Sequence, residues 1–474
     1  MCAALWGCSK PPAAAPTASD GPAVARSSAA SEREKVSITV YNQNFGLVRE
    51  IRKVPLGDGR VELEFRDVSA HIQPETVHLR GVDAPAALSV LEQNYRYDLL
   101  TPEKLLEKHV GKRVKVYRYN ETLGTEEQKE AEILSVQGGT VLRVDGEVTQ
   151  GVGWRIAFPS VPDDLISKPT LVWQLASSRP EQRVEVTYLT GNLSWEADYV
   201  FVLDAKDRQG DLTGWVTRTN ESGASFENAE LKLVAGDVQR VRPPAPEVYD
   251  MLEMAVADDG AGRGFREESF FEYHLYTLER PTDLRDKEKK QVTLLEGHGV
   301  GVQKKHIFFG GDWYYRGRHG QITSNQKVGV YLDVQNTEKN RLGMPLPKGT
   351  VRVYKEDSSG ARQLIGEDVI DHTPRDEEIR IKLGEAFDVV GERKQTHWKA
   401  LGSCQSESAW EIQLRNHKDE PVRVDVFEPV GGDWEILESS HAYEREDART
   451  FTFDVPVAAR SRETITYRVR VRWC

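Results

Sequence analysis

The chain has 474 residues, of which 39% are hydrophobic and 29% are charged, and its formal net charge is −12. This composition is typical of a soluble globular protein, and the length is sufficient for about three domains. The acidic balance argues mildly against nucleic acid as the main partner. No segment has the roughly 18 consecutive apolar residues that a membrane helix requires. We therefore expect a globular protein of several domains.

The N-terminus resembles the end of a bacterial lipoprotein signal. Its first ten residues, "MCAALWGCSK", place Gly7 before Cys8, and a stretch rich in Pro, Ala and Ser follows. Such a stretch cannot bury enough apolar surface to fold. This pattern predicts acylation of Cys8, and Ser9 after it favours the outer membrane, with the protein facing the periplasm. The alternative is a disordered N-terminus with an incidental cysteine.

Alternation of apolar and polar residues dominates the remaining chain and predicts strands. It is clear in "RVELEF" (residues 60–65), "YVFVLD" (residues 199–204) and "VRVDVF" (residues 422–427). One helix is predicted after Thr101, with Pro102 at its first position and Gly111 beyond its end. The expected fold is all-β: several stacked β-sandwich or Ig-like units, a small barrel-like unit and one short helix.

Composition and turn signals divide the chain into six segments. These are a signal remnant and disordered tether (1–35), an N-terminal β unit (36–100), a helix with the small barrel-like unit (101–165), a β-sandwich unit (166–241), a loop or linker (242–269) and a C-terminal β-sandwich region (270–474).

The chain carries no standard catalytic, phosphate-binding or metal-binding motif, so we expect no cofactor and no metal. Asp371, His372 and Glu377 are the candidates for acid–base chemistry, because a histidine next to carboxylates is typical of such sites. The alternative is a structured turn, because Pro374 restricts the residue before it to an extended conformation. The alternation that follows in "EIRIKL" (residues 378–383) predicts a strand.

The stretch "GGDWYYRGRHG" (residues 310–320) is the candidate binding surface. Aromatic and arginine side chains in a loop on a rigid sheet are suited to stacking on sugars or docking a protein. The predicted binding residues are Trp313, Tyr314, Tyr315, Arg316 and Arg318. The alternative is an aromatic plug that covers one end of a sandwich.

A basic predicted strand, "HVGKRVKVYRYNE" (residues 109–121), suggests nucleic-acid binding as a third possible function. Lys112, Lys115 and Arg118 with Tyr117 would suit a single-stranded nucleic acid, provided that one exposed face carries them all. The alternative, which we favour, is a strand with a polar outer face opposite the acids of "TEEQKEAE" (residues 125–132). We expect no nucleic-acid partner.

Two of the four cysteines, Cys404 and Cys474, lie in the C-terminal region. In an oxidising compartment they could form a disulfide, and the alternative is two separate thiols.

Several long phrases resemble the bacterial domain of unknown function 4139. They include "NRLGMPLPKGTVRVYKED" (residues 340–357), "GEDVIDHTPRDEEIRIKLGEAFDVVGERKQ" (residues 366–395) and "WEIQLRNHKDEPVRVDVFE" (residues 410–428). The resemblance implies a β-rich envelope or secreted protein and carries over no catalytic residues. The mucoidy-inhibitor-like proteins are more distant relatives, whose N-terminal coiled coil is not visible in this sequence.

Together these observations predict a non-catalytic binding or structural module, anchored in a bacterial envelope through lipid alone, whose partner is an envelope protein or a glycan. One alternative is a hydrolase that uses carboxylate and histidine residues of the C-terminal region. The other is a nucleic-acid-binding small barrel.

Overall fold

The computed structural model describes residues 23–120, 124–162, 164–240 and 265–474. The described chain divides into two compact units. The N-terminal unit comprises the described residues up to Ser194 together with Thr219–Lys232 and Arg280–Lys289. The C-terminal unit comprises the described parts of Trp195–Arg218, Leu233–Glu279 and Lys290–Cys474. Cys8 and most of the predicted linker at residues 242–269 lie outside the described residues.

The first half of the chain contains the single described α-helix, α1, and thirteen strands. The strands are β1 Val24–Ser28, β2 Arg33–Tyr41, β3 Phe45–Val54, β4 Asp58–Arg66, β5 His78–Gly81, β6 Leu88–Arg96, β7 Arg113–Asn120, β8 Thr125–Ser135, β9 Val141–Val144, β10 Glu147–Gln150, β11 Arg155–Ala157, β12 Thr170–Ser178 and β13 Gln182–Gly191, and α1 is Pro102–Lys108.

The second half is built from strands, and short 3-10 turns occur in both halves. The strands are β14 Leu193–Leu203, β15 Gln209–Asn220, β16 Phe226–Ala235, β17 Phe265–Phe270, β18 Tyr273–Leu278, β19 Thr282–Leu284, β20 Glu288–Gly301, β21 Gln303–Phe309, β22 Gln321–Gln335, β23 Gly349–Glu356, β24 Arg362–Ile370, β25 Glu378–Ala400, β26 Gln405–Asn416, β27 Val422–Pro429, β28 Asp433–Ser439, β29 Glu444–Arg445, β30 Thr450–Val457 and β31 Arg462–Arg472. The 3-10 turns are Ala30–Glu32, Pro74–Thr76, Pro85–Ala87, Asp312–Arg316 and Glu338–Asn340.

The N-terminal unit has a four-stranded sheet in the order β1-β4-β12-β6, and it also contains the neighbouring strands β2, β3, β13 and β5. Alternation on β4 turns Val61, Leu63 and Phe65 into the core. The Phe65 ring meets Trp173 of β12 edge-on at 5.7 Å between centroids. Strand β1 pairs in parallel with β4, so main-chain hydrogen bonds order residues 24–28, which belong to the stretch predicted as a disordered tether.

A small separate sheet follows the predicted helix. Thr101 Oγ1 accepts a hydrogen bond from the Lys104 amide at 3.2 Å, and Pro102 begins the helix, as the N-cap pattern predicts. The five strands run in the order β10-β9-β8-β7-β11 around a core that includes Val116, Ile133 and Leu142. We predicted a barrel-like unit here. The described strands instead form an open sheet with β10 and β11 at its edges, because β11 is short and pairs only with β7.

The C-terminal unit is dominated by a nine-stranded sheet in the order β28-β31-β26-β25-β22-β21-β27-β30-β29. Strands β30 and β31 lie towards opposite ends of this order, yet Phe453 and Tyr467 pack with ring centroids 5.5 Å apart. The sheet therefore folds over itself into a sandwich that encloses one apolar core. These sheets confirm the all-β prediction.

A second sheet of the C-terminal unit has the order β20-β15-β14-β23-β24, in which β14 and β23 are parallel. Strands β17 and β18 form a hairpin, so the last residues of the predicted linker are strand rather than loop. A disulfide joins Cys404 to Cys474, with their Cα atoms 5.6 Å apart. Among the described residues, no helix has the length and apolar character needed to cross a membrane.

Candidate functional site

The aromatic–arginine stretch lies in the 3-10 turn Asp312–Arg316 of the C-terminal unit, between β21 and β22. Its three aromatic residues have different environments. Tyr314 and Tyr315 belong to the apolar core of the sandwich, at 6% and 0% exposure, whereas Trp313 is 52% exposed. Tyr314 and Tyr315 therefore form the aromatic plug of the sandwich, and of the three aromatic residues predicted to bind a partner only Trp313 is exposed to solvent.

A buried charge cluster, formed by Arg393, Glu428 and the hydroxyls of Tyr315 and Tyr467, anchors the turn to the core of the sandwich. Tyr315 donates a hydrogen bond from its hydroxyl to Glu428 Oε2 at 2.8 Å, and Tyr467 donates to the same oxygen at 3.0 Å. Arg393 donates to the other carboxylate oxygen, and Arg393 and Glu428 are both completely buried. One charge of each sign is thus enclosed with hydroxyl donors, which is the condition for a tolerable buried ion pair.

Electrostatics agree with this arrangement. Burial raises the pKa of Tyr315 well above its ordinary value, and the Glu428 carboxylate adds to the shift, so the phenol stays protonated and remains a donor. Burial by itself would lower the pKa of Arg393, but Glu428 and the tyrosines around the guanidinium together outweigh burial, and the pKa of Arg393 is raised. The cluster is a charged structural support for the turn above it.

Above this support the exposed side chains form a compact surface. The Trp313 ring packs edge-on against Tyr314 at 4.6 Å and against His319 at 5.1 Å between centroids. The His319 amide donates to Gln395 Oε1 at 2.6 Å, which ties the following loop to β25. Arg316 and Arg318 are also exposed, and Arg316 forms an exposed ion pair with Asp312 at 3.7 Å. We call Trp313, Arg316 and Arg318 the Trp313 surface.

The acid–base candidates lie elsewhere in the same unit, at a cleft of about 750 Å³. His372 and Glu377 line this cleft, whereas Asp371 is not among its lining residues and forms an exposed ion pair with Lys348 at 3.4 Å. His372 Nδ1 accepts a hydrogen bond from the Lys348 amide at 3.1 Å, which requires that nitrogen to be unprotonated. The structure therefore brings together two of the three candidates.

Sequence reasoning missed a histidine–carboxylate pair at the same cleft. His274 lines it and makes a 2.7 Å hydrogen bond through Nδ1 with Glu267, which is nearly buried. A carboxylate on one ring nitrogen fixes the orientation and tautomer of a histidine. Both residues lie on the β17–β18 hairpin. The alternation of "YHLYTL" (residues 273–278) could have indicated strand β18. Its pairing partner β17, however, lies almost wholly within the predicted linker, where no strand was expected.

Desolvation of the His372 ring lowers its pKa, and Lys348 acts in the same direction, while Asp237 and Asp371 oppose the shift. A neutral His372 is consistent with its role as an acceptor from the Lys348 amide. Within the described ranges of the chain, no group of three or more His, Cys, Asp or Glu side chains is placed to hold a metal ion.

The basic strand of the small sheet does not gather its cations on one face. Val114 and Val116 of β7 point into the core, so Arg118 follows on their side while Lys115 and Tyr117 point the other way. Lys115 lies directly opposite Glu130 in the antiparallel register of β7 and β8. The Arg118 guanidinium lies 5.8 Å from the centre of the Trp154 ring. This geometry favours the polar-face reading over a groove for nucleic acid.

A family model described as "Domain of unknown function (DUF4139)" matches residues 184–474, which is more than half of the chain. The chain belongs to the DUF4139 family. The matched part of this DUF4139 protein includes the Trp313 surface, the cleft that His274 and His372 line, and the disulfide. The small five-stranded sheet precedes the matched part. No curated protein matches the chain.

Proposed function

We propose that this DUF4139 protein is a non-catalytic binding module of a bacterial envelope, held there by a lipid on Cys8, and that the Trp313 surface contacts its partner. The partner class we propose is an envelope protein or a glycan. The protein would face the periplasm from the outer membrane.

The observation that carries the proposal is the contrast within one turn. Trp313 is half exposed, although the next two residues are buried: Tyr315 donates a hydrogen bond to Glu428, and the Arg393 guanidinium lies 5.2 Å from the centre of the Tyr314 ring. A large aromatic side chain held on a rigid support loses little conformational entropy when it binds. Exposed arginines beside it add hydrogen-bond donors, and tryptophan and arginine are the residue types that most often dominate binding energy.

The disulfide supports the proposed location. Cysteine pairs such as Cys404–Cys474 persist in oxidising compartments and are rare in the reducing cytosol. A periplasm-facing protein would keep this bond.

Binding is tested by pull-down of envelope proteins and of isolated cell-wall sacculi with the purified chain. We expect Trp313→Ala and the double variant Arg316→Ala/Arg318→Ala each to reduce capture at least tenfold, as for central binding residues. The matched control is Phe387→Ala, because Phe387 is another aromatic residue of the same unit and is 83% exposed. Equal capture by all variants would refute the Trp313 surface as the binding site, and the fraction that is captured distinguishes protein from glycan.

The anchor is tested by metabolic labelling with a fatty acid in cells that express the full chain. We expect Cys8→Ser to abolish labelling, with Cys2→Ser as the matched control because both cysteines lie in the leader. Labelling that survives Cys8→Ser, or a wild-type protein that stays unlabelled, would contradict the lipid anchor.

A second candidate function is hydrolysis at the cleft, and the Glu267–His274 hydrogen bond favours it because an oriented histidine can act as a general base. The test is a panel of ester, glycoside and peptide model substrates. If any is hydrolysed, His274→Gln and His372→Gln should each lower the rate at least a hundredfold. A rate that both variants leave unchanged removes this candidate.

Nucleic-acid binding by the small sheet has a simple test. Charge reversal in the double variant Lys115→Glu/Arg118→Glu should leave a gel-shift assay with single-stranded DNA unchanged, because the two cations lie on different faces of β7. A shift by the wild-type chain that this variant abolishes would restore the nucleic-acid reading.

A further inference from the structure

The N-terminal unit contains a second buried charge cluster, far from the Trp313 turn in the sequence. Glu50 Oε2 accepts hydrogen bonds from Arg33 Nε at 2.6 Å and from Arg52 Nη2 at 3.1 Å. The side chains of Glu50 and Arg52 are completely buried, and that of Arg33 is 8% exposed. We call Arg33, Glu50 and Arg52 the Arg33 cluster.

The Arg33 cluster is not electrically balanced. Two guanidinium groups face one carboxylate, which leaves one positive charge in excess, because arginine stays protonated in proteins. Asp67 interacts electrostatically with Arg52 and forms an ion pair with Lys168 at 2.5 Å, so Arg33, Arg52 and Lys168 together face the two carboxylates of Glu50 and Asp67, and one positive charge remains in excess. Burying an unpaired charge is costly, so such clusters normally acquire a counter-charge.

Two polar atoms of the Arg33 cluster also lack a hydrogen-bond partner among the described residues. They are Arg33 Nη2 and Glu50 Oε1. Unsatisfied buried polar atoms are rare in folded proteins and require an explanation such as a bound water or ion.

Arg33 lines a cleft of about 730 Å³, together with Asp67, Lys168, Gly223, Ser225 and Asp286. The guanidinium is preorganised, since Glu50 holds its Nε and the Phe226 ring centre lies 5.5 Å from it. Three carboxylates line the cleft; Glu227 is exposed, and the other two are already engaged. Asp67 accepts from the Ala30 amide at 3.0 Å and pairs with Lys168, and Asp286 accepts from the Gly223 amide at 2.8 Å.

We propose that this cleft binds the oxyanion of a small ligand, a carboxylate or a phosphate group, through Arg33 Nη2, with Lys168 at its rim; Arg33 Nε donates to Glu50 and Nη1 donates to the Ser225 carbonyl oxygen at 3.4 Å. The anion supplies the counter-charge that the Arg33 cluster lacks. An arginine held by a carboxylate and an aromatic ring presents donors in a fixed geometry that matches carboxylates and phosphates. This site is independent of the Trp313 surface.

Isothermal titration calorimetry on the whole chain tests the proposal with two probes, inorganic phosphate and succinate, at constant ionic strength. Calorimetry is preferred to a thermal shift, because phosphate stabilises most folded proteins by exclusion from their surface. We expect saturable binding of one equivalent of at least one probe. The probe that binds more tightly identifies the ligand group as phosphate or carboxylate.

Three variants make the test specific. Arg33→Lys keeps the positive charge beside Glu50 but loses the Nη2 donor, and it should weaken binding at least tenfold. Arg33→Met should abolish it. Lys53→Ala removes an exposed cation of the same unit that does not line the cleft, and it should bind like the wild type.

The proposal fails if neither probe binds the wild-type chain at concentrations up to about 10 mM, the range in which a single weak charged contact would still be detected. It also fails if Arg33→Lys, shown to be folded by circular dichroism, binds as tightly as the wild type. Arg33→Lys keeps the ion pair with Glu50, so the test does not depend on Arg33→Met folding.

Discussion

Each of the two units buries arginine and glutamate, but they balance the charge differently. In the C-terminal unit one arginine, Arg393, meets one glutamate, Glu428, and two tyrosine hydroxyls complete the carboxylate. In the N-terminal unit two arginines share Glu50, and polar atoms around them have no hydrogen-bond partner among the described residues. The first cluster is completely buried and has no net charge, whereas Arg33 of the second cluster lines a cleft.

This difference separates a structural role from a binding role. The cluster in the C-terminal unit carries no net charge, although Arg393 Nε also lacks a hydrogen-bond partner among the described residues, and it supports the turn that exposes Trp313. A cluster with an excess charge is stabilised further by any anion that reaches it. The following predictions test whether the two clusters differ in this way.

The largest effect is expected for Glu428→Gln. The change leaves the buried Arg393 charge without its counter-charge, which should lower the free energy of unfolding by about 3–5 kcal/mol. Urea denaturation measures this loss. The control is Glu435→Gln, because Glu435 forms an exposed ion pair with Arg470, and such pairs contribute little. A loss as small as that of the control would mean that the Glu428 cluster does not hold the sandwich together.

A further buried ionisable residue, His306, differs from the arginines and glutamates of the two clusters because its charge depends on pH near neutrality. His306 on β21 is 8% exposed, and burial lowers its pKa to about 4. An unfolded histidine titrates near 6.5, so between about pH 6.5 and pH 4 the unfolded chain binds a proton that the folded chain does not. Stability should therefore fall by about 3 kcal/mol as the pH decreases through this window.

Urea denaturation at several pH values checks this prediction. His306→Gln should remove that part of the pH dependence, whereas His298→Gln, at an exposed position, should keep it. If the two variants lose stability equally towards low pH, His306 is not the group responsible.

A smaller effect is expected for Tyr467→Phe, which removes one hydroxyl donor from Glu428 and leaves the ion pair intact. Hydrogen bonds to charged groups stabilise proteins by about 1.5–3 kcal/mol, so we expect a loss in that range. Thermal and urea denaturation measure it, with Tyr443→Phe as control because Tyr443 is 42% exposed. Wild-type stability in Tyr467→Phe would show that the cluster tolerates an incomplete shell of donors.

The smallest effect is expected for Arg33→Met in the absence of added anion. Glu50 keeps Arg52 as its partner, and methionine keeps apolar contact with Phe226, so stability should change by less than about 1 kcal/mol. Arg393→Met is the matched comparison in the other cluster and should cost about 3–5 kcal/mol, because it leaves Glu428 unpaired. Equal losses in the two variants, measured by urea denaturation, would show that the Arg33 charge is not in excess.

The local patterns were sufficient to predict much of the fold. Alternation in "RVELEF" does form β4, with Val61, Leu63 and Phe65 inside, and Thr101 caps the predicted helix α1. Local patterns were less informative where pairing is between distant segments. Residues 24–28 lack an obvious strand signal, and they are ordered by β4, more than thirty positions along the chain.

The candidate site shows the same limit. The stretch around Trp313 was identified from residue type, but its sequence could not show that Tyr314 and Tyr315 are buried while Trp313 is exposed. Burial of the tyrosines depends on Glu428 and Tyr467, which lie 113 and 152 positions from Tyr315. The Glu267–His274 pair was missed because the hairpin that joins its members lay partly in the predicted linker.

The amino-acid sequence by itself determined the all-β class, the capped helix after Thr101 and the family, because these depend on periodicity and on contiguous phrases. The tertiary structure alone decided which charges are buried together, which aromatic residue remains exposed and which cleft a histidine lines. These properties depend on contacts between residues that are distant in sequence, and strand pairing brings such residues together only when the sheets form.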